Sequence, residues 1–453
     1  MQHLGCIAAT ADDTCQVINQ SIGTFLPPFR RPTLDENNRW FTAVVIGGGG
    51  VAGSLVSFLY SSAVVLGLWR LSLGLIALPK ERAVRLIGAS FLAYFAAEAL
   101  ATLVNYSGPA DLLEGMVANL PFVAFPILFG RLSLTPRPDV LRWVEYGSIG
   151  GAYGVGLFAL IEVFIGGYPR AEGLAGNSGP FALVSAVLFG FCVAIVIYRQ
   201  DHMRRIAGGA ALFAAVALIL SGMRSLWPIL LLSPLLLVWL LGFVPKAMFT
   251  RRTALAAAVA AVVVASLGYS TVQNRVMNLV RDFEKVDAGN YDNSLGQRIR
   301  VWSAAIELIE QKPVFGQGPA HARRALQAAA SERGEKEITF SHAHNLALNA
   351  LMRSGVFGLA AVIAMFFVPL WVAGRSKKDE IGQIGYALMV TLCATYLVNG
   401  AVNISFGHDI VDALFLYCMM TTAYLVFGPS GTPRYVLLAD GSRVTNPSAP
   451  AAA

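Results

Sequence analysis

The chain has 453 residues, 56% of them apolar and only 13% charged, with a mean hydropathy of +0.60. Soluble domains carry about 25% charged residues, so this composition excludes an ordinary soluble enzyme and requires an integral membrane protein. The net charge of +7 is scattered between apolar stretches rather than massed on one face, which argues against nucleic-acid binding and for membrane topology.

Residues 1–40 form a polar N-terminal segment without the compact basic–apolar–small pattern of a cleaved signal, so the first apolar span is expected to anchor as well as target. Runs long enough to cross a bilayer follow at 41–58, 60–78, 84–104, 113–130, 143–166, 179–198, 206–222, 225–244, 253–271, 346–373, 383–403 and 409–427. A break at Tyr60-Ser61-Ser62 separates the first two; one long tilted helix there would reduce the total by one. The expected fold is all-α and polytopic, with about twelve transmembrane helices. It divides into a membrane bundle (41–271), a hydrophilic loop (272–345), a second membrane bundle (346–427) and a Pro/Ser/Ala-rich tail (428–453) expected to be disordered. Cys6, Cys15, Cys192, Cys393 and Cys418 show no metal-ligand spacing, and three fall in apolar spans, so neither a disulfide framework nor a zinc site is indicated.

Charge asymmetry orients the chain. The loops 79–85, 131–142, 199–205, 246–252 and 375–380 each hold three Lys or Arg, fifteen altogether, whereas 105–112, 167–178, 221–227 and 404–408 hold only Arg170 and Arg224. By the positive-inside rule the first set, the N-terminus and the tail are cytoplasmic. The 272–345 loop, between the ninth and tenth spans, then faces outward, into the periplasm of a Gram-negative cell.

The two outward arginines stand out for that reason. Arg224 lies in Ser221-Gly222-Met223-Arg224-Ser225-Leu226-Trp227, a hinge between spans; an arginine there stays protonated and needs water, a partner or an anionic ligand. Arg170 sits in a Gly-rich loop that runs on to Asn177-Ser178-Gly179-Pro180. The alternative for each is an anchor snorkelling to lipid headgroups. Inside the long loop, Gly296 to Gln311 reads as a helix, with Ile299, Trp302, Ile306 and Ile309 at three- and four-residue intervals. Arg298 and Arg300 in its first turn oppose the helix dipole but suit a bound phosphate, or headgroups if the helix lies on the membrane. Phe315-Gly316-Gln317-Gly318-Pro319 follows no buried strand and reads as a tight turn rather than a dinucleotide fingerprint.

The loop ends in Ser341-His342-Ala343-His344-Asn345, at the boundary between water and the apolar run 346–373. An imidazole with a pKa of about 6.5 can accept a proton near neutral pH. His344 is taken as the functional histidine and His342 as its support; Asn345 orients the histidine or caps the helix that begins there. His321 and His408 read as surface or boundary residues. Glu98, Glu162, Asp409 and Asp412 could pair with the arginines or with one another inside the bundle.

His344-Asn345, nine residues, Gly355, two residues and Gly358 resemble the signature of bacterial O-antigen ligases. Upstream, Ser294, Arg298, Trp302 and Pro313-Val314-Phe315-Gly316-Gln317-Gly318 resemble the segment that precedes the histidine in the wider ligase/polymerase superfamily. Ser221 to Trp227 is similar to the family's Ser-Arg hinge, with Ser225 where glycine is usual. The resemblance covers roughly residues 165–430. It implies an enzyme in the bacterial inner membrane that transfers polysaccharide from undecaprenyl diphosphate to a sugar hydroxyl of lipid A–core oligosaccharide on the periplasmic side. His344 would be general base, and Arg224 and Arg298 would hold the diphosphate without cofactor or metal. Arg170, Arg300, His342 and Asn345 would contribute to substrate binding. A single displacement would invert the anomeric centre. An O-antigen polymerase and a protein O-oligosaccharyltransferase of the same superfamily remain alternatives. A flippase would be expected to show internal repeats and midplane charges, which the sequence lacks.

Overall fold

The computed structural model describes residues 33–241, 251–333, 339–377, 379–437 and 443–446. Cys6, Cys15, most of the 1–40 segment and residues 246–250 of one basic loop lie outside the described residues. The chain divides into two compact units, Met1–Asn37 and Asn38–Ala453. The described part of the first is a helix start, where Thr33 N donates to Glu36 Oε2 at 2.8 Å and Glu36 N to Thr33 Oγ1 at 3.1 Å, a reciprocal cap.

Helix α1 (Leu34–Gly48) is followed in the second unit by α2 (Leu55–Ser72), α3 (Arg82–Val104), α4 (Pro109–Gly115), α5 (Phe125–Leu132), α6 (Arg137–Leu160), α7 (Ser178–Tyr198), α8 (His202–Leu220) and α9 (Ile229–Leu241). After α10 (Arg251–Asp287) come α11 (Ser294–Gln311), α12 (Pro319–Ser331), α13 (Leu346–Ser376), α14 (Glu380–Val402) and α15 (Asp409–Phe427). Among the described residues, ten helical stretches are long and apolar enough to cross a membrane; the protein is an all-α, multi-pass membrane protein. The ninth expected span lies within α10, which continues to Asp287, well past the expected loop start at Val272.

The first break is elsewhere than expected. Helix α1 ends at Gly48 and helix resumes at Leu55, while Tyr60-Ser61-Ser62 sits inside α2. Ser61 satisfies its hydroxyl on Ser57 O at 2.9 Å, and Tyr60 Oη donates to Pro121 O at 2.9 Å, so neither interrupts the helix. Gly53 does the breaking: its φ is +55°, and an added Cβ would sit 2.3 Å from Leu174 O, a position only glycine tolerates.

Helices α7 and α15 are apolar all round and almost wholly buried, as expected of the centre of a bundle. An aromatic cluster of Phe366, Tyr396, Phe406 and Phe415 fastens α15 to α13 and α14. Contacts at the basic end tie the bundle together. Arg137 grips Asp379 bidentately at 2.7 and 2.9 Å, and Lys80 N and Glu81 N donate to Ser430 Oγ. The tail also contributes there. Residues β1 (Tyr435–Leu437) and β2 (Arg443–Thr445) pair antiparallel, and Arg434 N and Tyr435 N donate to Gly74 O at 2.9 and 3.1 Å. Order at these residues departs from the disorder expected from composition; 447–453 lie outside the described residues.

Helices α11 and α12 and the start of α13 share a small second core of Val301, Ala304, Ala305, Leu308, Ala322, Leu326, Ala343 and Met352. Helix α11 spans almost the expected residues, but its buried face is this small-residue stripe, and Ile299 and Ile306 are exposed. Alanines let the partner helices approach closely, which the bulkier isoleucine stripe would prevent.

Candidate active site

Helix α13 is broken. Gly355 has φ +63° and ψ −155° inside it, and an added Cβ there would lie 2.1 Å from Val314 O. The groups freed by the break are taken up by the turn after α11. Gln317 N donates to Met352 O at 2.8 Å, Gly318 N to Arg353 O at 3.0 Å, and Val356 N to Pro313 O at 3.0 Å. Gly316, φ +64°, has no room for a Cβ against the Arg353 carbonyl. The glycines and the Pro-Val-Phe-Gly-Gln-Gly turn thus form one joint that docks α11 onto α13. Below it Arg353 and Ser354 bind the buried Glu98, with Arg353 Nη2 at 2.6 Å.

At the other end of these helices lies the histidine segment. His344 is the one non-glycine residue with positive φ, +48°, among the described residues. Such strain persists only where the surroundings fix it. Here Ala343 is fully buried on one side. On the other, Asn345 caps α13, accepting from Leu348 N at 3.0 Å and donating from Nδ2 to Ala401 O at 3.0 Å. His344 Nδ1 lies 3.3 Å from Asn403 Oδ1, and its ring stands edge-on to Phe340 at 4.5 Å and beside the His342 ring at 4.3 Å. The Nε2 atoms of both histidines are buried without a partner.

The imidazoles line a cavity of about 320 Å³ together with Arg170, Asn177, Ser178, Ser294, Arg298, Asn403 and His408. An adjoining cavity of about 370 Å³ shares Arg170, Met223, Ser294 and Arg298 and adds Gly222, Arg224, Ser225 and Arg275. Backbone ties explain the convergence. Glu162 accepts from Glu172 N and Gly173 N at 2.9 and 3.0 Å, ordering the Arg170 loop. Ala171 N then donates to Leu220 O at 3.1 Å, which holds that loop against the Ser221–Trp227 hinge. Gly222, φ +69°, leaves space for the Arg275 guanidinium, and Arg224 Nη1 donates to Arg275 O at 2.7 Å. Asn293 caps α11 by accepting from Leu295 N and Gly296 N, presenting Ser294 and Arg298 to both cavities.

Among the described residues no carboxylate lines the arginine cavity. Burial first, and then the positive charge of Arg224, holds Arg298 below the usual arginine range, partly offset by Asp282. Burial likewise lowers Arg170, offset by Glu172. Both stay protonated, so the empty charge of the pocket favours an anion. Burial, followed by Arg298, pushes His344 below the ordinary imidazole value; burial and His344 push His342 down to about 4. Both rings are neutral at pH 7, and a neutral imidazole with an unpartnered Nε2 is a proton acceptor.

Not every residue singled out from sequence meets here. Arg224, Arg298, Arg170, His342 and His344 line the two cavities. Arg300 lines neither: it is buried, pairs with Asp292 at 2.8 Å and donates to Ala330 O, clamping α11 to the end of α12. Asn345 caps its helix. Glu98 binds Arg353, Asp412 accepts from Gly407 N at 3.0 and 3.1 Å, and Asp409 faces His408 at 3.2 Å; none of these carboxylates pairs with a cavity arginine. Asn403, Arg275 and the cavity position of His408 went unrecognised in the sequence. Arg275 carried a signal, a lone arginine just past an apolar run.

Residues 209–363 match the family model described as O-antigen ligase. A relative from Haemophilus influenzae, described as an uncharacterized protein, is 23% identical over 292 residues, covering 62% of this chain and 71% of its own. The resemblance to the O-antigen ligase family therefore holds over the segment that carries the hinge, Arg298, the joint and the histidines. Arg170 and Asn403 lie outside it. Residues 209–363 are thus similar to the O-antigen ligase family, within the ligase/polymerase superfamily.

Proposed function

We propose that this protein is an O-antigen ligase, a glycosyltransferase of the bacterial inner membrane with its active site facing the periplasm. It would transfer polysaccharide from undecaprenyl diphosphate to a sugar hydroxyl of lipid A–core. The observation that carries the reading is the convergence of a neutral, left-handed His344 and several arginines on two adjoining cavities with no carboxylate among their described lining residues. The basic loops at the far end of the bundle support the orientation.

The chemistry follows from those groups. The diphosphate sits among Arg224, Arg275 and Arg298, with Arg170 at the junction, through charge-assisted hydrogen bonds. His344 Nε2 takes the proton of the acceptor hydroxyl as its oxygen attacks the anomeric carbon. The bond from that carbon to the diphosphate breaks, and the arginines stabilise the charge gathering on the leaving group. One displacement inverts the anomeric configuration.

The test is reconstitution. Purified protein given lipid-diphosphate-linked glycan and lipid A–core, without nucleotide, makes the inverted conjugate, and His344→Ala loses turnover by about a hundredfold or more, the scale of a positioned general base. Growth of the glycan on its own lipid carrier, with the lipid A–core untouched, would identify a polymerase instead. Retention of configuration would require a covalent nucleophile and would overturn the mechanism.

A further inference from the structure

We propose that Asn403 is a positioning residue that fixes the proton of His344 on Nδ1, leaving Nε2 as the atom that faces the substrate. The inference rests on the reading of His344 as the base and deepens it. An imidazole can serve as a base only through the nitrogen that lacks the proton, and which nitrogen that is depends on the partner of the other. Asn403 Oδ1 stands 3.3 Å from His344 Nδ1. An amide oxygen only accepts, so Nδ1 carries hydrogen, and the buried, unpartnered Nε2 is left with its lone pair in the cavity.

The contact is built rather than incidental. Asn403 terminates α14. Two residues earlier, Ala401 O accepts from Asn345 Nδ2 at 3.0 Å, so consecutive ties bind the end of α14 to the histidine segment. They hold His344 in its left-handed conformation, and its ring is wedged edge-on against Phe340. A ring so confined cannot rotate to exchange its nitrogens. The charged and titratable groups around it are His342 on the same segment, Arg298 from α11, Arg170 from the loop before α7, and His408 before α15. Among the described residues the hydrogen bond made by His344 Nδ1 is to Asn403, whose amide acts on the neighbouring His342 as well, so this amide is the group that distinguishes the two nitrogens. The amide bond raises the basicity of the ring, but a neutral partner does so less than a carboxylate would, and burial and Arg298 outweigh it, so the base stays unprotonated in its cationic pocket.

The experiment reads the ring directly. In the full-length protein labelled with 15N-histidine, which has six histidines, the His344 signals are assigned by their loss in His344→Gln. The inference expects Nδ1 protonated and Nε2 bare at neutral pH. Asn403→Leu should give mixed tautomers, and Asn403→Asp, isosteric and able to accept the same hydrogen, should keep the tautomer while raising the pKa of His344. With lipid-linked donor and acceptor, Asn403→Leu should lower kcat by about tenfold, the worth of one orienting hydrogen bond, with little change in donor KM. Asn403→Asp should restore part of that loss above neutral pH and move the acidic limb of the profile upward. Nε2 protonated in the wild type, or an unchanged tautomer in Asn403→Leu, would overturn the inference. The labelled ring is read without substrate, so a bare Nε2 in a protein that transfers no glycan would sink the proposed reaction and leave the positioning role standing.

Discussion

Gly355 is the sharpest place to perturb, because three independent features meet on it. Its φ of +63° and ψ of −155° lie in a region that is essentially glycine-only, where another residue costs on the order of 1–3 kcal/mol. A Cβ would also lie 2.1 Å from Val314 O and 2.7 Å from Phe315 N, so Gly355→Ala must push the turn away. That displaces the hydrogen bonds from Gln317 N, Gly318 N and Val356 N, each worth about 1 kcal/mol net. Together the loss is about 4–6 kcal/mol, a large share of the roughly 5–15 kcal/mol that holds a typical protein folded. Thermal unfolding in detergent should show a markedly lower midpoint, and limited proteolysis should open the chain near Lys312. Gly316→Ala attacks the same joint from the other side, so the double variant should be less than additive. Gly150, with nothing within 4 Å of its Cβ position, is the control, and Gly150→Ala should leave the midpoint in place. A wild-type midpoint and cleavage pattern for Gly355→Ala would refute the account of the joint.

Neighbouring arginines on α11 should separate cleanly. Arg298→Ala should abolish transfer at near wild-type stability, whereas Arg300→Ala strands Asp292 and should destabilise by about 3–5 kcal/mol, the scale of a broken buried pair, read by the same unfolding assay. Because burial lowers His344 and the base must be neutral, kcat/KM should fall on the acidic side with a midpoint below the ordinary imidazole value of about 6.5; a midpoint above that value would contradict the geometry. In a variant without Cys6 and Cys15, a cysteine introduced at Asn290 or Glu310 should react with an impermeant thiol reagent from outside and one at Lys377 should not, and the reverse pattern would invert the orientation. Replacing His344, whose φ of +48° penalises any side chain, by glycine should leave the protein about 1 kcal/mol more stable than replacing it by alanine.

What the sequence revealed and what it hid divide along physical lines. The extent of α11 was legible because apolar periodicity and an N-capping Asn293 are local signals. Which face it buries was not, since Ala304 and Ala305 count for little in a hydrophobic pattern yet allow the closest packing. Tyr60-Ser61-Ser62 marks the expected break between the first two spans, because it interrupts the apolar run there. Helical serines return their hydroxyls to the preceding turn, and the real break needed the positive φ of Gly53. Arg298 and Arg300 were indistinguishable two residues apart, since opposite faces of one helix put one in the cavity and the other in a clamp. Asn403 was invisible for a different reason: it lies 59 positions from His344, and only the packing of α14 against the histidine segment joins them.

The spacing in the motif was legible as a pattern, and its meaning is geometric. Helix α11 runs from Arg298 at the cavity to the joint, α12 returns, and α13 runs out again from the histidine end to Gly355, so α11 and the start of α13 lie parallel between the same two points. The ten steps from Asn345 to Gly355 are about 15 Å of helix, and they set how far the joint stands from the imidazole. Arg298 reaches the cavity at the far end of a helix fastened by that joint. One residue more or fewer between Asn345 and Gly355 would turn the histidine end by about 100° relative to the joint, carrying His344 off the cavity while every motif residue remained in place. The fixed spacing therefore acts as a ruler between a structural glycine and a chemical histidine, and for this reason neither half of the motif is informative alone.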